Sequence, residues 1–237
     1  MIDRLVEVRK DTEIAPAPLP IAFENELAKT LNEHNSALEQ ALSAGVIALL
    51  SLSIDEWFFR SALTRHAEFI LGRVDDWFAT RLGRFATGGK EAVLGVMRTF
   101  DNSLVQYFVE QNIALIKSMD ADAKSAIRAV LRQAELNNLT ERETKKLILE
   151  KLKRQTARAR FIAGDQAMKL IIARERAIHI SAGMEEYEWE TRKDDRVRST
   201  HRAMQGRIIR WDTPPPIGHV GTQPGCRCRP KGILNAT

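Results

Sequence analysis

The sequence of 237 residues predicts an α+β protein, predominantly α-helical over its N-terminal two-thirds, with a small antiparallel α+β module at the C-terminus. Apolar residues recur at helical spacing up to residue 183, and the pattern then changes to strand-like alternation. Proline and glycine cluster soon after, which indicates an irregular loop. We therefore predict an extended N-terminal arm over 1–20, a helical region over 21–183 and the C-terminal module over 184–237.

The N-terminal arm ends in Ala-Pro-Ala-Pro-Leu-Pro at 15–20. Repeated proline fixes an extended backbone and removes N–H donors. The arm is predicted either to lie along a neighbouring subunit or to be a disordered tail. In the helical region that follows, apolar residues such as Leu27, Leu31 and Leu38 begin the helical pattern.

Polar residues predict where two of the later helices begin. Thr140 and Glu143 have the spacing of a capping box, in which each side chain bonds the backbone amide of the other residue. Asp120 and Asp122 suit the first turn of another helix, because negative charge is stabilised at the positive end of the helix dipole.

A further long helix is predicted over 157–181, closing at Gly183. Together with the helix before it, this helix has a basic side, and five residues are candidates for contact with DNA or an acidic protein surface: Lys151, Lys153, Arg154, Arg158 and Arg160. Arg174 is also predicted to lie on this side. The alternative is an ordinary solvated face. Sequence-specific DNA reading is not expected, because no base-reading motif accompanies these residues.

The C-terminal module opens with a predicted strand over 187–191. Tyr187 and Trp189 point to one face, and two glutamates point to the other. Asp194 or Asp195 then supplies a turn and the N-cap of a short helix.

The elements in the second half of the module are predicted from the positions of its glycine and proline residues. Gly206 ends the short helix, and a second strand follows over 207–211. The loop over 213–225 leads to a last short strand over 226–229. The predicted order is therefore strand, turn, helix, strand, loop and strand.

Composition is that of an ordinary soluble globular protein, with 44% hydrophobic and 28% charged residues and a net charge of +5. Two cysteines exclude a disulfide scaffold and fit a reducing interior. We see no secretory signal, and the longest apolar run, over 44–52, is too short to span a bilayer. We therefore expect no membrane partner and synthesis in a cytoplasm.

The C-terminal motifs resemble a known phage module. In order, they are Trp189-x-Thr191, Asp194-Asp195-Arg196-Val197, His201, Gly206, the Pro-Pro-x-x-Gly-His pattern at 214–219, and Cys226-Arg227-Cys228. This series is similar to the C-terminal module of the phage Mu protein F-like minor head proteins, the phage head morphogenesis family. Stretches 112–118 and 157–163 are similar to that family's helical lead-in, so the resemblance covers roughly Ile113 to the C-terminus.

The resemblance implies a minor capsid or head morphogenesis protein that acts in procapsid assembly near the portal. Its expected partners are portal and capsid proteins, with packaged DNA as a further contact through the backbone. Its expected location is the virion, in the phage head, after assembly in the host cytoplasm. The implied mechanism is binding and not enzymatic turnover.

A zinc site is one interpretation of the cysteines and histidines. Many family members carry Cys-x-x-Cys after the Asp-rich turn, whereas Arg198 and His201 stand at those positions here. Four residues would make a tetrahedral Cys/His shell if they converge: His201, His219, Cys226 and Cys228. The alternative is a loop held by hydrogen bonds, with cysteines acting as small buried apolar groups. A disulfide between the cysteines is disfavoured by geometry.

An RNase-like nuclease or toxin-type enzyme is the alternative function. His201 would titrate near neutral pH, Arg198 would stabilise developing negative charge, and Asp195 would complete the set. The same residue types also serve a structural module, because arginine bridges aspartate carboxylates. No Ser-His-Asp order and no HExxH motif is present in the sequence, so we predict no enzyme.

Overall fold

The computed structural model describes residues 56–99 and 103–233, apart from the side chains of Phe58, Gln155, Thr156 and Arg160. The predicted arm over 1–20 and the apolar pattern over 21–52 lie outside the described residues.

The described part is mainly helical and ends in a small sheet, which confirms the α+β prediction. Its elements in chain order are α1 (Glu56–Leu82), α2 (Gly89–Met97), α3 (Ser103–Leu136), α4 (Glu141–Ser181), β1 (Glu186–Glu190), α5 (Ser199–Arg202), β2 (Ile208–Arg210) and β3 (Arg229–Ile233). None of these helices combines the length and apolar character needed to cross a membrane.

The described residues fall into two compact units. The module unit contains 67–99, 103–105 and 165–233, and the helical unit contains 56–66 and 106–164. Helices α1, α3 and α4 each contribute residues to both units. The domain boundaries given above stay a prediction.

The helical unit has a core of buried aliphatic residues from α3 and α4: Ile127, Val130, Ile148 and Leu152. The capping box is confirmed, since the Thr140 amide donates to the Glu143 carboxylate at 2.8 Å and the Glu143 amide donates to the Thr140 hydroxyl at 3.3 Å. Two predicted helix starts are wrong. Asp120 and Asp122 lie inside α3, and α4 runs unbroken through residue 157, because no proline interrupts its backbone ladder there.

The core of the module unit forms where the sheet packs against α4. In the described residues one antiparallel sheet has the order β2-β1-β3. Alternate residues of the central strand are buried, as predicted, so Tyr187 and Trp189 face the core. Buried residues that pack with them are Ile172 of α4, Met204, Trp211, Val220, Cys226 and Cys228.

Two boundaries in the module differ from the prediction. The short helix α5 has Arg198 at its N-cap, and Asp194 instead accepts a hydrogen bond from the Arg196 amide at 3.2 Å. The last strand begins at Arg229 and not at Cys226. Its partner β1 ends at Glu190, which pairs with Arg229, so the cysteines have no strand to pair with.

Two arginines, Arg174 and the half-buried Arg229, connect α4 to other parts of the module unit. Arg174 donates to both carboxylate oxygens of Asp75, at 2.7 and 2.6 Å. Arg174 is buried, so the prediction that it lies on the basic side of this helix is wrong. Arg229 of β3 donates to the buried carboxylate of Glu175. The α4 helix then ends as predicted, with Gly183 at a φ of 75°, where glycine carries no side-chain penalty.

Candidate metal centre

Three of the four predicted zinc ligands converge in the interior of the module. The His201 Nδ1 atom lies 3.5 Å from the Sγ atom of Cys226 and 3.5 Å from that of Cys228. One donor atom from each residue lies within 4.8 Å of the other two. The side chains are almost completely enclosed, with exposures of 2%, 3% and 2%. We call these three residues the Cys/His cluster.

Gln223 determines the tautomer of the His201 ring. The ring nitrogen that faces the sulfurs is therefore the one with a free lone pair. The Gln223 Nε2 group donates to the Ile217 carbonyl at 3.1 Å, so its Oε1 atom faces His201 at 2.9 Å from Nε2. A carbonyl oxygen accepts only, and therefore the proton of the neutral imidazole sits on Nε2. The unprotonated Nδ1 atom is left directed at both sulfurs.

The sulfurs share hydrogen bonds with each other and with the backbone. A hydrogen bond with Cys228 lowers the pKa of the Cys226 thiol, against the effect of its burial, and the Gly221 amide adds a donor to its Sγ atom at 3.4 Å. The bond with Cys226 and burial together raise the pKa of Cys228. The pKa values of the two thiols therefore shift in opposite directions.

The loop that carries the cysteines is anchored on both sides of the cluster. The Gly225 amide donates to Asp165 of α4 at 2.7 Å, and Lys169 pairs with the same carboxylate at 2.7 Å. On the other side, Arg227 bonds Asp194 at 2.6 Å. These anchors limit how far the cysteines can move from His201.

Sequence reasoning missed Gln223 and Asp165. Asp165 has one weak signal, since it is an acid on an otherwise basic and apolar part of α4. Gln223 has none, because its role depends on the path of the loop and not on any motif.

His219 lies outside the Cys/His cluster. Its Nδ1 atom is 3.1 Å from the Tyr187 hydroxyl, and its ring lies 5.3 Å from that of Trp211. Burial, with the nearby positive charge of Arg176, lowers the pKa of His219. The structure gives His219 a place beside the aromatic core and not among the sulfurs.

The cluster fits a zinc ion in both distance and chemistry. Zinc binds imidazole nitrogen at about 2.0–2.1 Å and thiolate sulfur at about 2.3 Å, and tetrahedral angles then separate the two atoms by about 3.5 Å. The two N···S distances observed here are both 3.5 Å. Thiolate and imidazole are also ligand types that zinc takes, whereas magnesium and calcium take oxygen.

The residues of the nuclease hypothesis are placed as follows. His201 is buried and uses both ring nitrogens in the contacts described above. Arg198 donates to the Pro224 carbonyl at 2.6 Å, and Asp195 is exposed in the turn. Among the described residues no hydrogen bond joins His201 to either of them. Catalysis by this set stays a hypothesis.

Of the predicted basic contact residues, Lys151, Lys153, Arg154 and Arg158 are exposed on α4. Arg154 pairs with Glu150 at 2.9 Å, and Arg158 pairs with Asp122 at 2.7 Å. The side chain of Arg160 lies outside the described residues. Because two arginines have acidic partners, the lysines are the better candidates for an external phosphate or carboxylate.

Comparison with known proteins gives a match over the same C-terminal region. Residues 125–230 match the family model described as Phage Mu protein F like protein. An uncharacterized protein of Haemophilus influenzae (strain ATCC 51907 / DSM 11121 / KW20 / Rd) is 33% identical over 118 residues, which are 49% of this chain and 26% of that protein. The chain thus spans about a quarter of that curated relative. No solved structure matches the chain.

The matched stretch includes all of α4, strands β1 and β2, and every member of the Cys/His cluster. The resemblance predicted from the motifs is therefore confirmed over these residues. Residues 125–230 are thus similar to the Phage Mu protein F like family.

Proposed function

We propose that the chain is a minor head protein that acts in procapsid assembly of a tailed phage, near the portal, and stays in the virion. The family match over 125–230 is the observation that carries this proposal. The match covers the folded C-terminal module and not an isolated motif, so the role belongs to a folded surface.

Binding without turnover is the mechanism we propose. The aromatic residues of β1 are fully buried, and Arg229 fixes β3 to α4. A module held in this way presents its outer face with little loss of conformational entropy on docking. Strand β2 lies at one edge of the sheet, with Ile208 52% exposed, and gives an apolar contact point for a portal or capsid subunit.

Contact with packaged DNA is the second part of the proposal. Lys151 and Lys153 are exposed on α4 and have no ion pair within the described ranges 56–99 and 103–233. Lysines of this kind bind the phosphate backbone without reading sequence, through release of counterions.

Deletion of the coding sequence in a lysogen tests the assembly role. After induction, we expect few normal heads by electron microscopy, and we expect the tagged full-length chain to restore them and to co-purify with portal protein. A deletion that leaves head number, head shape and DNA content unchanged would overturn the proposal. A chain that restores heads but co-purifies only with capsid protein would remove the portal contact alone.

A further inference from the structure

We propose that His201, Cys226 and Cys228 bind one Zn²⁺ ion, with His201 coordinating through Nδ1 and with His219 outside the ligand set. This inference stands on the geometry of the cluster and does not depend on the role in head assembly. It narrows the four candidate ligands of the sequence to three.

The first argument is the direction of the imidazole lone pair. Gln223 is fixed by the Ile217 carbonyl and accepts the Nε2–H proton of His201. Metal-binding histidines characteristically donate their other N–H to such an acceptor, which orients the ring and raises its basicity. His201 therefore has the orienting partner of a ligand already in place.

Charge balance is the second argument. Two thiolates neutralise a divalent cation, so the site with zinc has no net charge and its burial carries no unpaired charge. Coordination requires both sulfurs as thiolates, and any proton still on a sulfur is released to solvent as the two Zn–S bonds form. A monovalent cation would leave one negative charge enclosed in the aromatic core.

The third argument concerns the fourth position. Zinc takes four ligands, and three protein ligands are commonly completed by water. Arg198 begins the helix that carries His201, but its guanidinium donates to the Pro224 carbonyl and has no lone pair for a metal. A water molecule would therefore complete the shell.

Zinc at this position would connect segments far apart in the chain. His201 lies 25 and 27 positions from the two cysteines. The ion would fasten α5 to the loop before β3 and so stabilise the module against local opening, because metal binding to the folded state alone adds to its stability.

Metal analysis of the full-length chain tests the inference. We expect about one zinc per chain, lost in Cys226→Ser and Cys228→Ser and retained in His219→Ala, the matched control. Cobalt substitution should give thiolate-to-cobalt charge-transfer absorption in the wild type and in His219→Ala. Zinc that is retained in both cysteine variants, or lost in His219→Ala, would overturn the ligand set.

A second measurement covers the case in which the cysteine variants do not fold. A strong chelator added to the wild-type chain should lower its melting temperature, make both cysteines reactive to an alkylating reagent, and be reversed by added zinc. A chain prepared with zinc that contains no metal, and whose cysteine reactivity is the same with and without chelator, would refute the site.

Discussion

Glu175 on α4 and Arg229 on β3 form an ion pair inside the module, with the carboxylate almost fully enclosed. Burial raises the pKa of Glu175 to about 7, although Arg229 opposes this shift. The arginine is therefore what makes an ionised carboxylate tolerable at this position.

Replacing Arg229 by methionine should be strongly destabilising. Removal of one partner leaves the other buried without compensation, a change that costs about 3–5 kcal/mol of unfolding free energy. Urea denaturation of Arg229→Met, Glu175→Gln and the double variant would measure the loss of unfolding free energy. We expect the double variant to recover part of the loss, and strictly additive effects would contradict the coupling.

The buried histidine His179 should make the fold sensitive to acid. Burial, with a contribution from Arg229, lowers its pKa from 6.5 to about 3. A histidine with a lowered native pKa adds stability that is fully present above pH 6.5 and is lost as the pH falls toward 3. Between pH 7 and pH 5 the loss should be roughly 2 kcal/mol.

His179→Leu should remove this dependence, although it also removes ring contacts with Phe78 and Trp211. The quantity to compare is the change in unfolding free energy between pH 7 and pH 5 in the two chains. Glu175, whose raised pKa acts in the opposite direction, is present in both. An equal change in both chains would show that His179 does not carry the effect.

Gly221 should not tolerate alanine. Its φ is +76°, and an added Cβ atom would collide with the Cδ1 atom of Ile172. We expect Gly221→Ala to lower the unfolding free energy by about 1–3 kcal/mol, through overpacking and backbone strain. Gly95→Ala is the matched control, because an added Cβ there meets no described heavy atom within 4 Å. Equal melting temperatures for the two variants would refute the packing argument.

Lys151→Gln/Lys153→Gln should weaken retention of the full chain on DNA. Each lost phosphate contact should reduce the slope of log affinity against log salt by about 0.9. Arg154→Gln/Arg158→Gln is the control of equal charge change, and we expect a smaller effect because acidic partners already hold both arginines. Equal slopes of log affinity against log salt for the two double variants would contradict the claim that the lysines bind DNA in preference to the ion-paired arginines.

The purified chain should not cleave RNA. His201 is enclosed and bonded at both nitrogens, so it has no free position for proton transfer to a substrate. Incubation of the wild type and of His201→Ala with labelled RNA is the measurement. Cleavage by the wild type that disappears in the variant would favour the nuclease hypothesis.

Local patterns predicted local structure well. The alternation around Tyr187 and Trp189 indicated both the strand and its buried face, and the Thr140 capping box indicated where α4 begins. Both depend on neighbours within a few residues. The continuity of α4 could not be predicted, because the absence of proline near residue 157 permits one long helix but does not exclude two shorter ones.

The candidate site could also be predicted only in part. The sequence identified the ligand types, but convergence depends on the path of the loop between residues 213 and 225. That path is fixed by distant groups, including Asp165 on α4, and it directs His219 to Tyr187. Contacts between residues so far apart in the chain leave no periodic pattern in the sequence.

The anchoring of the sheet on α4 decides where the module can be cut from the chain. A fragment that starts at residue 184 would lack three residues of α4. Asp165 holds the cysteine loop, and Ile172 fills the core against Gly221. Glu175 neutralises the charge of Arg229. Such a fragment would expose tryptophan faces and a lone cation to solvent. Any autonomous version of this module must bring the second half of its long helix with it.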